Sequence, residues 1–305
     1  MSRRKSRGRS VSGILLLDKP LEMSSNKALQ IVKRLFNANK AGHTGSLDPL
    51  ATGMLPICLG EATKVSQYLL EADKVYQVSF KLGERTATGD AEGEVIETKP
   101  FESISQQQIE QVIPQFLGDQ EQIPPMYSAL KHDGQRLYEL ARKGVEVERK
   151  SRHIHISSIE LLSFDQGIVE LKVACSKGTY IRTLAEDIAK ALDTVSYVTV
   201  LRRLEVGSFS GFPMVTLSEL DELAKEGELQ LDKKLLPVDV GIMDMTELRL
   251  NDDLSYYIRL GQPIQVPNAP VDGLLRLYDA KRFIGIGEIN DDGLVAPKRL
   301  MNTQS

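Results

Sequence analysis

The chain is poor in cysteine: Cys58 and Cys175 are its only two, and both lie in apolar segments. This excludes a disulfide framework and predicts reduced core residues. No run approaches the roughly 18 apolar residues that span a bilayer. The apolar stretch Ile14–Leu17, after a basic start, is also too short for the core of a signal peptide. With 41% hydrophobic and 26% charged residues, we expect a globular protein of the cytoplasm.

Several cofactor motifs are also missing. The sequence contains neither the phosphate-binding loop G-x-x-x-x-G-K-[ST] nor the dinucleotide fingerprint G-x-G-x-x-G. His153 and His155 alternate along one predicted strand, but no third ligand lies near them in the sequence. We therefore expect no cofactor and no metal.

Positive residues are slightly fewer than acids overall, 38 against 42, and they are unevenly distributed. The net charge is −4, yet residues 1–64 hold eleven Lys or Arg against four acids. Residues 131–155 hold seven against four, whereas residues 217–239 hold seven acids and three lysines. A phosphate backbone senses local charge because salt limits its reach to about 8–10 Å. This segregation favours an RNA-binding face, although a merely solvated surface would show the same pattern.

One segment stands out, residues 42–53, with the sequence GHTGSLDPLATG. Its single acid, Asp48, precedes Pro49, which biases the aspartate towards an extended backbone. The glycines in the segment permit tight turns and the close approach of another molecule. Such a loop either presents a carboxylate to a ligand or forms an ordinary solvated Asp-Pro turn.

Periodicity outlines the remaining elements. Strands are predicted at Ile14–Leu17, Met54–Leu59, Lys74–Leu82, His153–Phe164, Ile168–Ala174 and Val195–Leu204. Helices are predicted after Ser24 or Ser25, over Ala62–Leu70, over Ser105–Leu117 with a bend at Pro114, from a Thr179 cap to about Leu192, and after the capping box at Thr216. Gly83–Glu94 is predicted to be a loop, and Pro237 to precede a C-terminal module of short strands.

The string GHTGSLDPLATGMLPICLGEATK, residues 42–64, together with GILLLDKP at residues 13–20, resembles the TruB family of pseudouridine synthases. The resemblance runs from about Gly13 to about Gly207 and is weaker in the C-terminal part. It implies an α+β fold with a mixed or antiparallel sheet as catalytic core. It also implies a thumb-like insertion and a small β-barrel-like, PUA-type C-terminal domain.

The resemblance implies a reaction as well: isomerisation of uridine 55 in the T-loop of tRNA to pseudouridine, with the base flipped out of its stack. Asp48 matches the nucleophile, and whether it attacks C1′ or C6 or assists elimination to a glycal stays open. Arg182, in the segment KGTYIRT, matches the arginine paired with that aspartate. Tyr180 matches a tyrosine that handles a proton or contacts the base. The substrate contacts implied are His43, Tyr76, Tyr180 and Leu201, with electrostatic support from Lys19 and Lys64. Core packing remains an alternative for Tyr76 and Leu201.

The expected division is a basic tail at 1–12, a catalytic domain at 13–237 with the thumb at 123–150, and a PUA-like RNA-binding domain at 238–305. The RNA contacts expected in the thumb are Tyr127, Lys131, Arg136, Arg142, Lys143 and Arg149. The partner implied is the T-arm of tRNA, bound by a monomer without an accessory protein. Two alternatives remain: an RNA-binding or RNA-folding module without turnover, and a relative that depends on a guide RNA.

Overall fold

A computed structural model describes residues 8–302 of the chain. Residues 1–7, which form most of the expected basic tail, lie outside the described residues. Within the described part of that tail, Arg9 is tied to the body of the protein: its guanidinium donates hydrogen bonds of 2.7 and 2.6 Å to the Asp232 carboxylate.

None of the helices in residues 8–302 has the length and apolar character required to cross a membrane.

The strands, in chain order, are β1 (Gly13–Lys19), β2 (Ala41–His43), β3 (Ala51–Leu59), β4 (Lys74–Leu82), β5 (Glu84–Thr86), β6 (Val95–Thr98), β7 (Gly118–Gln122), β8 (Lys131–His132), β9 (Gln135–Arg136), β10 (Arg152–Asp165), β11 (Ile168–Cys175), β12 (Ser196–Val206), β13 (Thr246–Arg249), β14 (Leu274–Tyr278), β15 (Phe283–Ile289) and β16 (Val295–Leu300). The α-helices are α1 (Ser25–Leu35), α2 (Ser66–Glu71), α3 (Gln106–Val112), α4 (Leu137–Ala141), α5 (Ile181–Ala191), α6 (Leu217–Glu226), α7 (Glu228–Asp232) and α8 (Asp252–Arg259). Short 3-10 helices cover Gly60–Lys64, Ile113–Phe116, Gly207–Phe209 and Val238–Ile242.

The central sheet has the order β1-β3-β12-β4-β11-β10-β7, with β2 added beside β3. It is mixed, because β12 runs parallel to β3 and antiparallel to β4. Both faces of β1 are covered: Leu15 and Leu17 belong to one hydrophobic cluster, Ile14 and Leu16 to the other. This double burial explains why β1 is a continuous apolar run. The expected α+β fold with a mixed sheet core is confirmed.

Several local predictions need correction. The helix predicted over 62–70 is two pieces, the 3-10 helix Gly60–Lys64 and then α2. Residues 83–94 are not entirely loop, because β5 pairs there with β6. Thr179 does not cap α5: its hydroxyl donates to the Ser176 carbonyl at 3.0 Å, and Tyr180 occupies the cap position.

The C-terminal part forms a separate four-stranded sheet in the order β13-β14-β15-β16, accompanied by α8. Its Ile286 packs in the cluster that covers Ile14 and Leu16 of β1. The Lys64 ammonium also donates to the Leu300 carbonyl at 2.8 Å. The C-terminal sheet therefore packs against the face of the central sheet that contains Ile14 and Leu16.

Candidate active site

The Asp48 loop connects β2 to β3 and is held from several sides. The Ser25 hydroxyl accepts from the Leu47 N–H at 2.8 Å and donates to the Leu47 carbonyl at 3.0 Å. The buried Arg203 donates to the carbonyls of Gly45 at 3.0 Å and Met54 at 2.7 Å. These contacts fix the backbone on both sides of Asp48, so the carboxylate is presented by a rigid support.

Two of the loop glycines are required by the backbone. Gly45 and Gly53 have φ values of +77° and +96°, a region that disfavours residues with a Cβ. A Cβ on Gly53 would lie 2.2 Å from the Arg203 carbonyl oxygen, because β3 and β12 pair directly there. Gly42, by contrast, has open space around it and does not have a positive φ.

Asp48 opens into a cleft with about 490 Å³ of empty space, a figure that includes the open solvent at its mouth. The Asp48 side chain lines this cleft and is 45% exposed. Tyr76, Tyr180, Arg182 and Leu201 all line the cleft, so the structure brings together these five predicted residues. The other lining residues are Ser46, Leu47, Ala51, Thr179 and Ile181.

Arg182 is the electrostatic centre of the cleft. Its Nη2 lies 2.9 Å from Asp48 Oδ2 and donates to the Tyr127 carbonyl at 2.7 Å. Its Nη1 donates to Asp90 Oδ2 at 3.1 Å and to the Thr88 carbonyl at 2.8 Å. The guanidinium therefore stands between two carboxylates and is also held by two backbone oxygens. Such a planar fork can orient a carboxylate in a way that a lysine could not.

Burial sets the protonation tendencies of the site. Desolvation raises the pKa of Asp48, with Asp90 adding to the rise and the Arg182 charge opposing it. Burial also raises the pKa of the Tyr180 and Tyr76 phenols, which are therefore neutral hydroxyls at neutral pH. The cleft thus combines one carboxylate, one fixed cation and two neutral phenols.

Lys19 lies next to the Asp48 loop. Its side chain is fully buried, and its ammonium donates to the carbonyls of Pro20 at 2.9 Å and Met23 at 2.6 Å, with a longer contact to Pro49 at 3.4 Å. Desolvation lowers the pKa of Lys19 to about 8, although the charge of Asp48 opposes the shift. The positive charge of Lys19 in turn opposes the rise in the pKa of Asp48 that desolvation causes.

Comparison with known proteins identifies the family of the chain. Residues 33–181 match the model described as "TruB family pseudouridylate synthase (N terminal domain)". Residues 182–243 and 246–301 match two C-terminal models, "tRNA pseudouridylate synthase B C-terminal domain" and "Pseudouridine synthase II TruB, C-terminal". The chain is 53% identical over 303 residues to a protein of Nitrosococcus oceani named tRNA pseudouridine synthase B, covering 99% of this chain and 98% of that one. A protein of Pseudomonas aeruginosa with the same name is 52% identical over 297 residues, covering 97% of each chain.

This chain belongs to the TruB family of pseudouridine synthases. Solved structures support the fold assignment. A Cbf5-Nop10-Gar1 complex contains a chain that matches with a TM-score of 0.74 at 25% identity, covering 95% of this chain and 84% of that one. A chain of an H/ACA RNP bound to a substrate RNA containing 2′-deoxyuridine matches with a TM-score of 0.73 at 24% identity, covering 99% and 92%.

Two residues expected at the site of this TruB-family chain lie elsewhere. Lys64 pairs with Glu61 at 2.5 Å and with the Leu300 carbonyl, so it fastens the C-terminal sheet and does not line the cleft. That it supports the site electrostatically stays a prediction. His43 ends β2 beside the loop, and burial lowers the pKa of its imidazole. Its Nδ1 is buried without a partner in residues 8–302, and the imidazole lies outside the cleft lining.

The thumb segment is a small exposed hairpin of β8 and β9 followed by α4. The Arg136 and Arg142 guanidinium carbons lie 5.9 and 5.6 Å from the Tyr138 ring centroid. Lys131, Arg136, Arg142 and Lys143 are exposed. Arg149 differs, because it donates to the Pro124 carbonyl at 3.2 Å and so closes the root of the thumb. Tyr127 lies at that root, and its carbonyl accepts from Arg182.

Sequence reasoning missed Asp90 and Arg203, which are 2% and 1% exposed. Asp90 lies in the polar stretch predicted as loop, and its only sequence signal is an acid among turn-forming residues. Arg203 lies in a strand that also contains Arg202 and Glu205, so its only sequence signal is an arginine among the apolar residues of that strand. Neither signal identifies the partner, because both contacts join segments far apart in the chain.

Proposed function

We propose that this chain is a tRNA pseudouridine synthase that isomerises uridine 55 in the T-loop of tRNA. The observation that carries the proposal is the Asp48 carboxylate, held 2.9 Å from Arg182 in a cleft shared with Tyr76 and Tyr180. The relatives named tRNA pseudouridine synthase B support the same assignment.

The proposed reaction rearranges the bonds of a single nucleoside. The bond between N1 and C1′ breaks, the uracil turns, and a bond between C5 and C1′ forms. The hydrogen on C5 leaves as a proton, and N1 takes up a proton. Atoms and electrons balance without an oxidant or an energy source. Asp48 acts as the nucleophile of this exchange, and the positive charges of Arg182 and Lys19 favour its ionised form against the desolvation that raises its pKa.

The uridine must leave its stack before it can enter the cleft. Extrusion costs a few kcal/mol, and stacking on one aromatic ring returns about 1–3 kcal/mol. Tyr76 supplies that ring and Leu201 closes the pocket on its apolar side. The neutral Tyr180 phenol contacts the base or passes a proton. His43, beside the loop but outside the lining, helps to occupy the space that the flipped base leaves.

The proposed RNA interface extends from the cleft over the exposed thumb cations and the C-terminal sheet. Phosphate contacts of this kind fix orientation without reading sequence. We assign the basic tail to residues 1–12, the catalytic domain to 13–237 with the thumb at 123–150, and the RNA-binding C-terminal domain to 238–305. The enzyme binds the T-arm of tRNA as a monomer without an accessory protein, and it acts in the cytoplasm.

Tritium release from tRNA labelled at C5 of uridine tests the proposal. The purified chain should release tritium from full-length tRNA and from an isolated T-arm without any added protein or guide RNA. Asp48→Asn should abolish release while tRNA binding persists. Binding without release by the unaltered chain would indicate a non-catalytic RNA module. Release only in the presence of a guide RNA would contradict self-sufficiency.

A further inference from the structure

We propose that Gln122 is a positioning residue for the reaction, acting through the backbone of Tyr180. Gln122 is the last residue of β7, directly before the thumb, and it is 4% exposed. Its side-chain Oε1 accepts from the Tyr180 N–H at 2.7 Å, and its Nε2 donates to the Tyr180 carbonyl at 3.1 Å. One amide thus pairs with both backbone groups of one residue, as a neighbouring strand would.

The place of this contact gives it significance. Tyr180 precedes α5 with an extended backbone, φ −96° and ψ 107°, and its side chain makes no capping hydrogen bond. An N-cap residue such as Ser, Thr, Asp or Asn would fix this junction by its own side chain. Tyrosine cannot, so the Gln122 amide supplies the restraint that the cap residue lacks. Gln122 therefore fixes the backbone from which the phenol extends.

The same contact links the thumb to the cleft. The thumb root, residues 122–128, contacts the catalytic elements at Gln122 with Tyr180 and at the Tyr127 carbonyl with Arg182. Movement of the root would therefore displace both side chains. Since a displacement of about 1 Å can cost a factor of about 100 in rate, a rigid root is a requirement for catalysis.

The alternative is that Gln122 merely stabilises the fold. A stabilising residue lowers the melting temperature when it is replaced but leaves the rate of the folded enzyme unchanged. A positioning residue lowers the rate constant at saturating enzyme while the protein stays folded and binds tRNA. The two roles are therefore separated by single-turnover tritium release, tRNA binding and thermal unfolding, measured on the same full-length variants.

Two variants remove the contact in different ways. Gln122→Leu keeps the size and loses both hydrogen-bonding groups, whereas Gln122→Asn keeps the amide but shortens its reach by about 1.5 Å, one carbon–carbon bond. Gln120→Leu is the matched control, since Gln120 lies on the same strand and donates only to the nearby carbonyls of Gln115 and Leu117. We expect both Gln122 variants to lose about tenfold to a hundredfold in saturating rate, with tRNA affinity retained.

A saturating rate for either Gln122 variant within about twofold of the Gln120→Leu rate, where circular dichroism shows both folded, would overturn the inference. If Gln122→Leu does not fold, Gln122→Asn decides alone. The inference rests on the isomerase function proposed above, and the two can fail separately. Absence of tritium release by the unaltered chain contradicts the function, whereas normal release by the Gln122 variants contradicts only the positioning role.

Discussion

Asp90 offers the sharpest test of how the cleft is organised. Its Oδ2 accepts from Arg182 Nη1 at 3.1 Å, and its Oδ1 accepts from the Thr88 hydroxyl at 2.6 Å and the Glu92 N–H at 3.2 Å. In Asp90→Asn only one oxygen remains. If that oxygen serves Thr88 and Glu92, the new NH₂ group faces Arg182, and two donors oppose each other.

The magnitude follows from what is lost. A hydrogen bond to a charged group is worth about 1.5–3 kcal/mol, whereas leaving a buried ion without any partner costs about 3–5 kcal/mol. Arg182 keeps Asp48 and the carbonyls of Thr88 and Tyr127. We therefore expect Asp90→Asn to lower the free energy of unfolding by about 2 kcal/mol, the smaller of the two ranges. Because Arg182 also loses an anchor, we expect the saturating rate to fall about a hundredfold.

Urea unfolding and single-turnover tritium release measure the two effects. Asp193→Asn is the control: the Asp193 side chain is fully exposed, its φ is +57°, and it lies 3.8 Å from Lys99. Asparagine tolerates that backbone, and such an exposed pair contributes about 0–1 kcal/mol. If Asp90→Asn unfolds at the same urea concentration as Asp193→Asn and isomerises uridine as fast, Asp90 does not hold Arg182 in place.

Four further outcomes are expected, for Gly53, Asp48 (two) and Tyr76. Gly53→Ala should destabilise the fold by at least about 1–2 kcal/mol, the cost of a left-handed residue, because its Cβ would also lie 2.2 Å from the Arg203 oxygen. In the same urea titration, Gly42→Ala should unfold like the unaltered protein. Equal loss of stability in both variants would refute the backbone argument. Because the pKa of Asp48 is raised, kcat/KM should fall on acidification with an apparent pKa above about 3.9. An acid whose pKa is raised in the folded protein stabilises the fold below its unfolded pKa, and this stabilisation is lost as pH rises through its folded pKa. At pH 7, Asp48→Asn should therefore melt no lower than the unaltered protein. A lower melting temperature would contradict the direction of the pKa shift. Tyr76→Leu should slow tritium release, because it loses about 1–3 kcal/mol of stacking free energy. Tyr76→Phe keeps the aromatic ring and should lose less activity. Equal rates for the two variants would show that stacking is not the role of Tyr76.

Regular elements with a clear period could be predicted from the sequence. Alternation in Lys74–Leu82 indicated β4, and the structure pairs that strand with β11 and β12. The phasing put Tyr76 on the same face as Val78 and Phe80, and the structure packs its ring partly against that core while it lines the cleft. Core packing and exposure to the cleft are therefore compatible for this residue.

Strand β12 shows where periodicity stops being informative. Simple alternation from the buried Ser196 and Val198 would send Val200 inward, yet Val200 is 54% exposed, while Leu201 and Arg203 are buried. The register shift between Val198 and Val200 explains the change, because a bulge inserts one residue and reverses the facing of those that follow. The arginine that fixes the Asp48 loop thus depends on a bulge that a sequence pattern does not reveal.

The junction before α5 shows the same limit at two of the proposed catalytic residues. Thr179 has the residue type expected of a cap, so sequence reasoning begins the helix there. A regular helix turns successive side chains by about 100°, since it has about 3.6 residues per turn. Residues 179–182 nevertheless all line the cleft, which requires a non-helical residue among them. Thr179 and Tyr180 both precede α5, and Tyr180 has an extended φ and ψ. A helix begun at Thr179 would turn either the phenol or the guanidinium out of the cleft, so the unfavourable cap is the local condition for having both.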